Sequence, residues 1–234
     1  MQTIIHRAEE RGGGDFGWLR TRHSFSFAQW YEPTRMGFGA LRVLNDDTIL
    51  PGSGFGTHGH DNMEIITVVT QGTLAHKDST GGEGRMHAGE VQVMSAGTGV
   101  LHSEYNGGDD TLTLFQIWIV PNESGVAPRY AERALPTTGA ETLLVAPWDT
   151  DYDVLTIHQD AYISRIALDA GELHTYTLKN PNHGVYFFVM QGRVSIAGAL
   201  LADRDAIGVH DASGVTLSPN DERTTVLAIE VPMR

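Results

Sequence analysis

The chain has 234 residues, of which 41% are hydrophobic and 19% charged, and a formal net charge of −13; this is the composition of a folded globular protein whose surface repels phosphate backbones. No run of Lys and Arg interrupts that acidity, so direct nucleic-acid binding is not expected. With no cysteine, disulfides, thiolate nucleophiles and sulfur-ligated metals are ruled out, and any metal site must be built from nitrogen and oxygen.

In chain order, "MQTIIHRAEERGGG" lacks the basic and continuously apolar segments of a secretory signal. Its "GGG" at residues 12–14 has no strand before it and no Lys-Ser/Thr after it, and is a poor phosphate cradle. "HSFSFAQWY" at 23–31 and "PRYAERAL" at 128–135 carry the best helical signals, two or three turns each. His23 reads as structural, and Trp18 and Trp30 as packing residues. Alternating or β-branched runs between Gly, Asn and Asp turns predict antiparallel strands: "MEIITVVT", "EVQVMSA", "TLTLFQIWIV", "YISRIAL", "GVYFFVM", "RVSIAG" and "TTVLAIEV". None approaches a membrane span. A soluble cytoplasmic protein is expected.

A repeat lies within this pattern. "MEIITVVTQGTLAH" resembles "HGVYFFVMQGRVSIAG", with Gln71-Gly72 matching Gln191-Gly192, and "GEVQVMSAGTGVLHSEYN" has an echo in "RDAIGVHDASGVTLSPN". The chain is therefore read as all-β, two stacked antiparallel jelly-roll barrels with a few short helices. They occupy residues 1–133 and 134–234 and join within the Pro-containing stretch from Pro121 to Pro147.

"GFGTHGHDNMEI" places His58, His60 and Glu64 within seven positions. In a strand, alternate side chains share a face, so His58 and His60 can reach one ion, and Glu64 joins them if the strand continues without a bulge. His102 and Glu104 in "LHSEYN" form a second alternating pair, and adjacent strands would let the two pairs converge. His6, His76, His87, His158, His174, His183 and His210 are read as surface or structural histidines.

Residues 52–72 resemble the first motif of the cupin superfamily at Gly52, His58, His60, Glu64 and Gly72, and residues 89–106 the second at Gly89, Gly97, His102 and Asn106. "MSAGTGVLHSEYN", with Ser95 where many cupins have Pro and two extra residues before His102, is similar to pirins. So are "RTRHSFSFAQWY" and "FQIWIVP…PRY", which look like the bacterial pirins described as quercetin 2,3-dioxygenases. The resemblance implies a bicupin holding one divalent ion per chain, with His58, His60, His102 and Glu104 as ligands and Glu64 beside the ion or as an alternative ligand. Aligning the repeat sets "LKNPNHG" opposite the HxH segment, and Leu217 and Pro219 opposite His102 and Glu104, so the second half is expected to hold no metal.

Three imidazoles and a carboxylate suit Fe(II), the metal expected here, and also Ni, Co, Mn, Cu or Zn. By the same resemblance, the substrate is an enolic aromatic such as a flavonol and the co-substrate is dioxygen. Glu104 or Glu64 takes the 3-hydroxyl proton before ring cleavage releases carbon monoxide. Phe25, Phe27 and Phe55 are candidates for the pocket wall or for ordinary core. A monomer is expected, since a bicupin already pairs its barrels. Two alternatives of other classes stand beside this reading: an iron-containing regulatory or redox-sensing protein that binds a protein partner without catalysis, and a zinc-type cupin isomerase.

Overall fold

Runs that are apolar at nearly every position have to be covered on both faces, and the central strands of this protein are. The structure, a computed structural model, describes residues 1–135 and 139–233. In the N-terminal half a seven-stranded sheet has the spatial order Arg129–Ala134, Glu90–Ser95, Glu64–Gln71, Leu112–Ile119, Leu41–Ile49, Leu19–His23, Gly12–Asp15. A four-stranded sheet, Gly54–His60, Val100–Asn106, Thr73–Asp78, Glu83–His87, packs against it.

The C-terminal half repeats the plan. Its large sheet runs Gln2–His6, Ala206–His210, His183–Gln191, Arg223–Pro232, Tyr162–Asp169, Glu141–Pro147, Leu155–Ile157, and its small sheet His174–Thr177, Gly214–Pro219, Val194–Ile196, Ala199–Leu201. Every pairing is antiparallel except Glu141–Pro147 with Leu155–Ile157. Strand Gln2–His6 crosses from the start of the chain to edge the C-terminal sheet, pairing with Ala206–His210.

The two large sheets stack back to back. Ile66, Val68, Phe115 and Ile117 meet Val145, Ile163, Tyr186, Phe188 and Leu227 in one core, while Val69, Leu112 and Leu114 turn inward onto Leu74 and Met86 of the small sheet. The matching turns of the repeat are real: Gly72 and Gly192 both lie at positive φ, +77° and +87°, where a Cβ would strike the carbonyl oxygens of Thr111 and Arg223.

Three expectations need correction. The halves are two-sheet jelly rolls, and no closed barrel forms among the described residues. The short helices at 23–31 and 128–135 are absent. Arg129–Ala134 is an edge strand, drawn into extended form by pairing with Glu90–Ser95, and residues 23–31 form turns with a small bridge between Phe27 and Trp30. Among the described residues the one helical segment is the 3-10 turn Ala8–Glu10. Finally, the strand standing opposite the HxH segment is His174–Thr177 rather than residues 178–184, because His174 pairs with Leu217 as His58 pairs with His102.

Candidate metal centre

Strand Val100–Asn106 lies between Gly54–His60 and Thr73–Asp78, and its alternation buries Val100, His102, Glu104 and Asn106 while Leu101 and Tyr105 face out. His58 stands directly across from His102, and His76 directly across from Glu104. Strand register alone thus gathers the cluster. The Nε2 atoms of His58 and His102 are 3.0 Å apart, and His60 stands beside both, its ring centroid 4.9 Å from each. His58 Nδ1–H donates to the Gly56 carbonyl at 2.9 Å, which leaves the Nε2 lone pair facing the cluster. Burial lowers His60 to a pKa of about 4 and His102 to about 3, with the neighbouring imidazoles adding to the effect. Both rings are therefore neutral, the form that binds metal, across the physiological range.

Glu104 is buried, and each of its oxygens accepts an amide proton: Oε1 from Gln92 Nε2 at 2.9 Å and Oε2 from Gln116 Nε2 at 2.8 Å. The amides are held in that orientation by a directional chain. Gln92 Nε2 also donates to Thr67 Oγ1 and Thr67 donates to Gln116 Oε1, while the single Tyr130 Oη–H lies between Glu132 Oε2 at 2.6 Å and Gln92 Oε1 at 3.0 Å. By register, Gln92, Thr67 and Gln116 belong to one row that continues across the sheet through Asn45 to His23. Burial pushes the Glu104 carboxyl upward, against the pull of His76, Gln116, His58 and Gln92, and a cation nearby would favour its ionised form.

Glu64 is not brought to this cluster. The strand is interrupted at residues 61–63, where Asn62 adopts a φ of +43°, and the alternation restarts with Glu64 on the face opposite Thr67. It accepts a hydrogen bond from Ser95 Oγ at 2.7 Å. Burial raises it to a pKa of about 7 against the pull of Ser95, the His158 amide and Arg129. Phe25 belongs to the core between the halves, Phe55 packs on Trp18 in the small-sheet core, and Phe27 touches Trp118, whose ring meets His60. A cavity of about 540 Å³ opens at the cluster, lined by His60, Met63, Val100, Leu101 and Trp118 among others.

The donors fit a divalent ion. Two imidazole nitrogens 3.0 Å apart match the spacing of neighbouring ligands each about 2.1 Å from one metal. In the second half the corresponding positions hold His174, Tyr176, Leu217 and Pro219. Leu217 and Tyr176 lie in an apolar core, and His174 is paired with Glu141 at 3.0 Å.

Asp47, on the interior face near Glu104, is raised by burial to about 7, with Thr21 opposing and Asp46 and Glu104 adding to the rise. Its folded form holds a proton that the unfolded chain has released between about pH 4 and 7, so stability falls as pH rises through that window. Asp47→Asn should therefore stabilise the apoprotein by up to about 4 kcal/mol at pH 8.5 and by little at pH 4. Urea unfolding at the two pH values measures the difference.

Two jelly-roll halves, one with an imidazole cluster inside and the other with Leu217 and Tyr176 at the matching positions, define a bicupin whose candidate metal ligands, among the described residues, lie in the N-terminal half. The Pirin sequence model matches residues 5–119, and that of the quercetinase C-terminal cupin domain matches residues 143–231. The chain is 41% identical over 229 residues to quercetin 2,3-dioxygenase of Escherichia coli strain K12, covering 97% of this chain and 98% of that one. It is 42% identical over 222 residues to a pirin-like protein of Caulobacter vibrioides, covering 94% and 95%. The structure of the bacterial pirin YhhW from Escherichia coli in complex with nickel(II) superposes with a TM-score of 0.94 at 40% identity and full coverage of both chains. The chain belongs to the pirin family.

Proposed function

We propose that this protein is a metal-dependent dioxygenase that cleaves flavonols such as quercetin, adding both atoms of dioxygen at C2 and C4 and breaking the C2–C3 and C3–C4 bonds so that C3 leaves as carbon monoxide. The observation that carries the reading is the convergence of His58, His60 and His102, with Glu104 beside His102, next to a cavity that His60 and Trp118 line. Its support is the naming of close relatives as quercetin 2,3-dioxygenases. His58, His60, His102 and Glu104 would hold the ion, with Fe(II) as the native metal. A bound divalent ion supplies Lewis acidity that eases ionisation of a coordinated enol and keeps positions open for its oxygens. Glu104, raised by burial and steadied by Gln92 and Gln116, accepts the 3-hydroxyl proton at a carboxylate oxygen. Trp118, Met63 and Leu101 form an apolar mouth that orients a flat aromatic and keeps water from its reacting face. The protein works as a cytoplasmic monomer in this reading.

The test loads anaerobically purified apoprotein with Fe(II), Ni(II), Co(II) or Cu(II) and follows quercetin bleaching, oxygen uptake and carbon monoxide. Turnover with one dioxygen consumed per carbon monoxide released is expected. Stoichiometric metal with no turnover in any form contradicts the enzyme and favours the regulatory alternative.

A further inference from the structure

His76 lies outside the HxH and HxE pairs, yet it is 2% exposed and stands across the strand pair from Glu104. Its Nε2–H donates to Asp78 Oδ2 at 3.0 Å. Asp78 is itself held in place, its Oδ1 accepting from the Thr80 amide, the Thr80 hydroxyl and the Gly82 amide. A carboxylate accepting on Nε2 fixes the tautomer and puts the free lone pair on Nδ1. That Nδ1 is fully buried and has no partner among the described residues, and the same is true of His102 Nδ1. A buried imidazole nitrogen without a partner is costly, about 1–3 kcal/mol, and calls for an occupant. The ring is held flat against Tyr130 at 4.4 Å. His76, His102 and Glu104 each offer a donor atom within 4.8 Å of one another, and all three are buried.

We propose that His76 is a further metal ligand, and that His76, His102 and Glu104 form an inner seat for a divalent cation overlapping the outer seat of His58, His60, His102 and Glu104. One ion occupies one seat or the other, with His102 and Glu104 common to both. Asp78 serves the inner seat by orienting the His76 ring. The inner seat retains the ion when the outer imidazoles are withdrawn from it. This rests on the metal-binding part of the function proposed above and not on the dioxygenase reaction.

The test reads Co(II) binding by titration calorimetry and visible absorption, so the outcome of the quercetin assay does not bear on it. The His58→Ala/His60→Ala double variant is expected to bind one Co(II) per chain more weakly than the parent protein. Adding His76→Phe, which keeps the stack on Tyr130 but removes the nitrogens, should abolish that binding. Adding Asp78→Asn instead should weaken it about 10–100-fold, the usual cost of losing an outer partner of a ligating imidazole. Thermal melts of each variant report whether the fold persists. Absence of Co(II) from a folded double variant, or binding indifferent to His76→Phe, overturns the inner seat.

Discussion

Glu104→Gln is expected to weaken metal retention by at least about 100-fold, more than the loss of an outer partner costs, whereas Glu64→Gln should leave the metal content unchanged. The reason lies in the direction of the hydrogen bonds. Gln92 and Gln116 both present NH₂ groups to residue 104, and neither can turn over without losing its hydrogen bond with Thr67, to which Gln92 donates and from which Gln116 accepts. A carboxylate accepts from both, but an amide accepts with one end only and sets its own NH₂ against a donor at the other. The substitution thus removes a negative charge from the ion and leaves a buried donor unsatisfied. Glu64, hydrogen-bonded to Ser95 on the opposite face of its strand, touches neither. Elemental analysis of both variants after dialysis against a mild chelator checks the order, and a reversed order would overturn the assignment of Glu104.

Tyr186→Ala is expected to cost about 3–5 kcal/mol, which for a chain of this length lowers the melting temperature by roughly 6–20 °C. Tyr186 is fully buried between the halves, packs on His6, Phe25 and Phe38, and its hydroxyl is 2.9 Å from His6 Nδ1. Truncation opens a cavity at the seam of the two jelly rolls and strands the His6 nitrogen. Tyr186→Phe keeps the ring and should lose only about 1 kcal/mol. Calorimetric scans of both variants distinguish packing from the hydrogen bond. An Ala variant no less stable than the Phe variant would show that this seam does not hold the halves together.

The HxH and HxE pairs were legible because strand alternation is a local rule, and pairing of two adjacent strands was enough to bring His58 across from His102. The same rule misled at Glu64. Parity counts only within an unbroken strand, and the turn at Asn62 resets it. His76 reads as one more structural histidine, because nothing local tells a residue on a third strand that it lies beside Glu104; its one signal was the alternation with Asp78 in "HKD". Gln92 and Gln116 left a fainter signal, a lone amide at an inward position of an otherwise apolar run in "EVQV" and "FQIW". The repeat was visible through its Gln-Gly turns, whose glycines the backbone requires. The crossing of Gln2–His6 into the far sheet was not, since pairing with Ala206–His210 joins the two ends of the chain. The helical reading of "PRYAERAL" failed because edge pairing with Glu90–Ser95 overrode local propensity.

The central claim is that one divalent ion sits on the imidazoles of the N-terminal half, and His102 is the residue on which it depends most. The direct measurement is metal per chain in anaerobically purified wild type and His102→Ala, with near-ultraviolet circular dichroism to confirm the fold. One equivalent in the wild type and none in a folded variant is the expected result. Equal metal in both proteins would place the ion elsewhere and contradict the assignment.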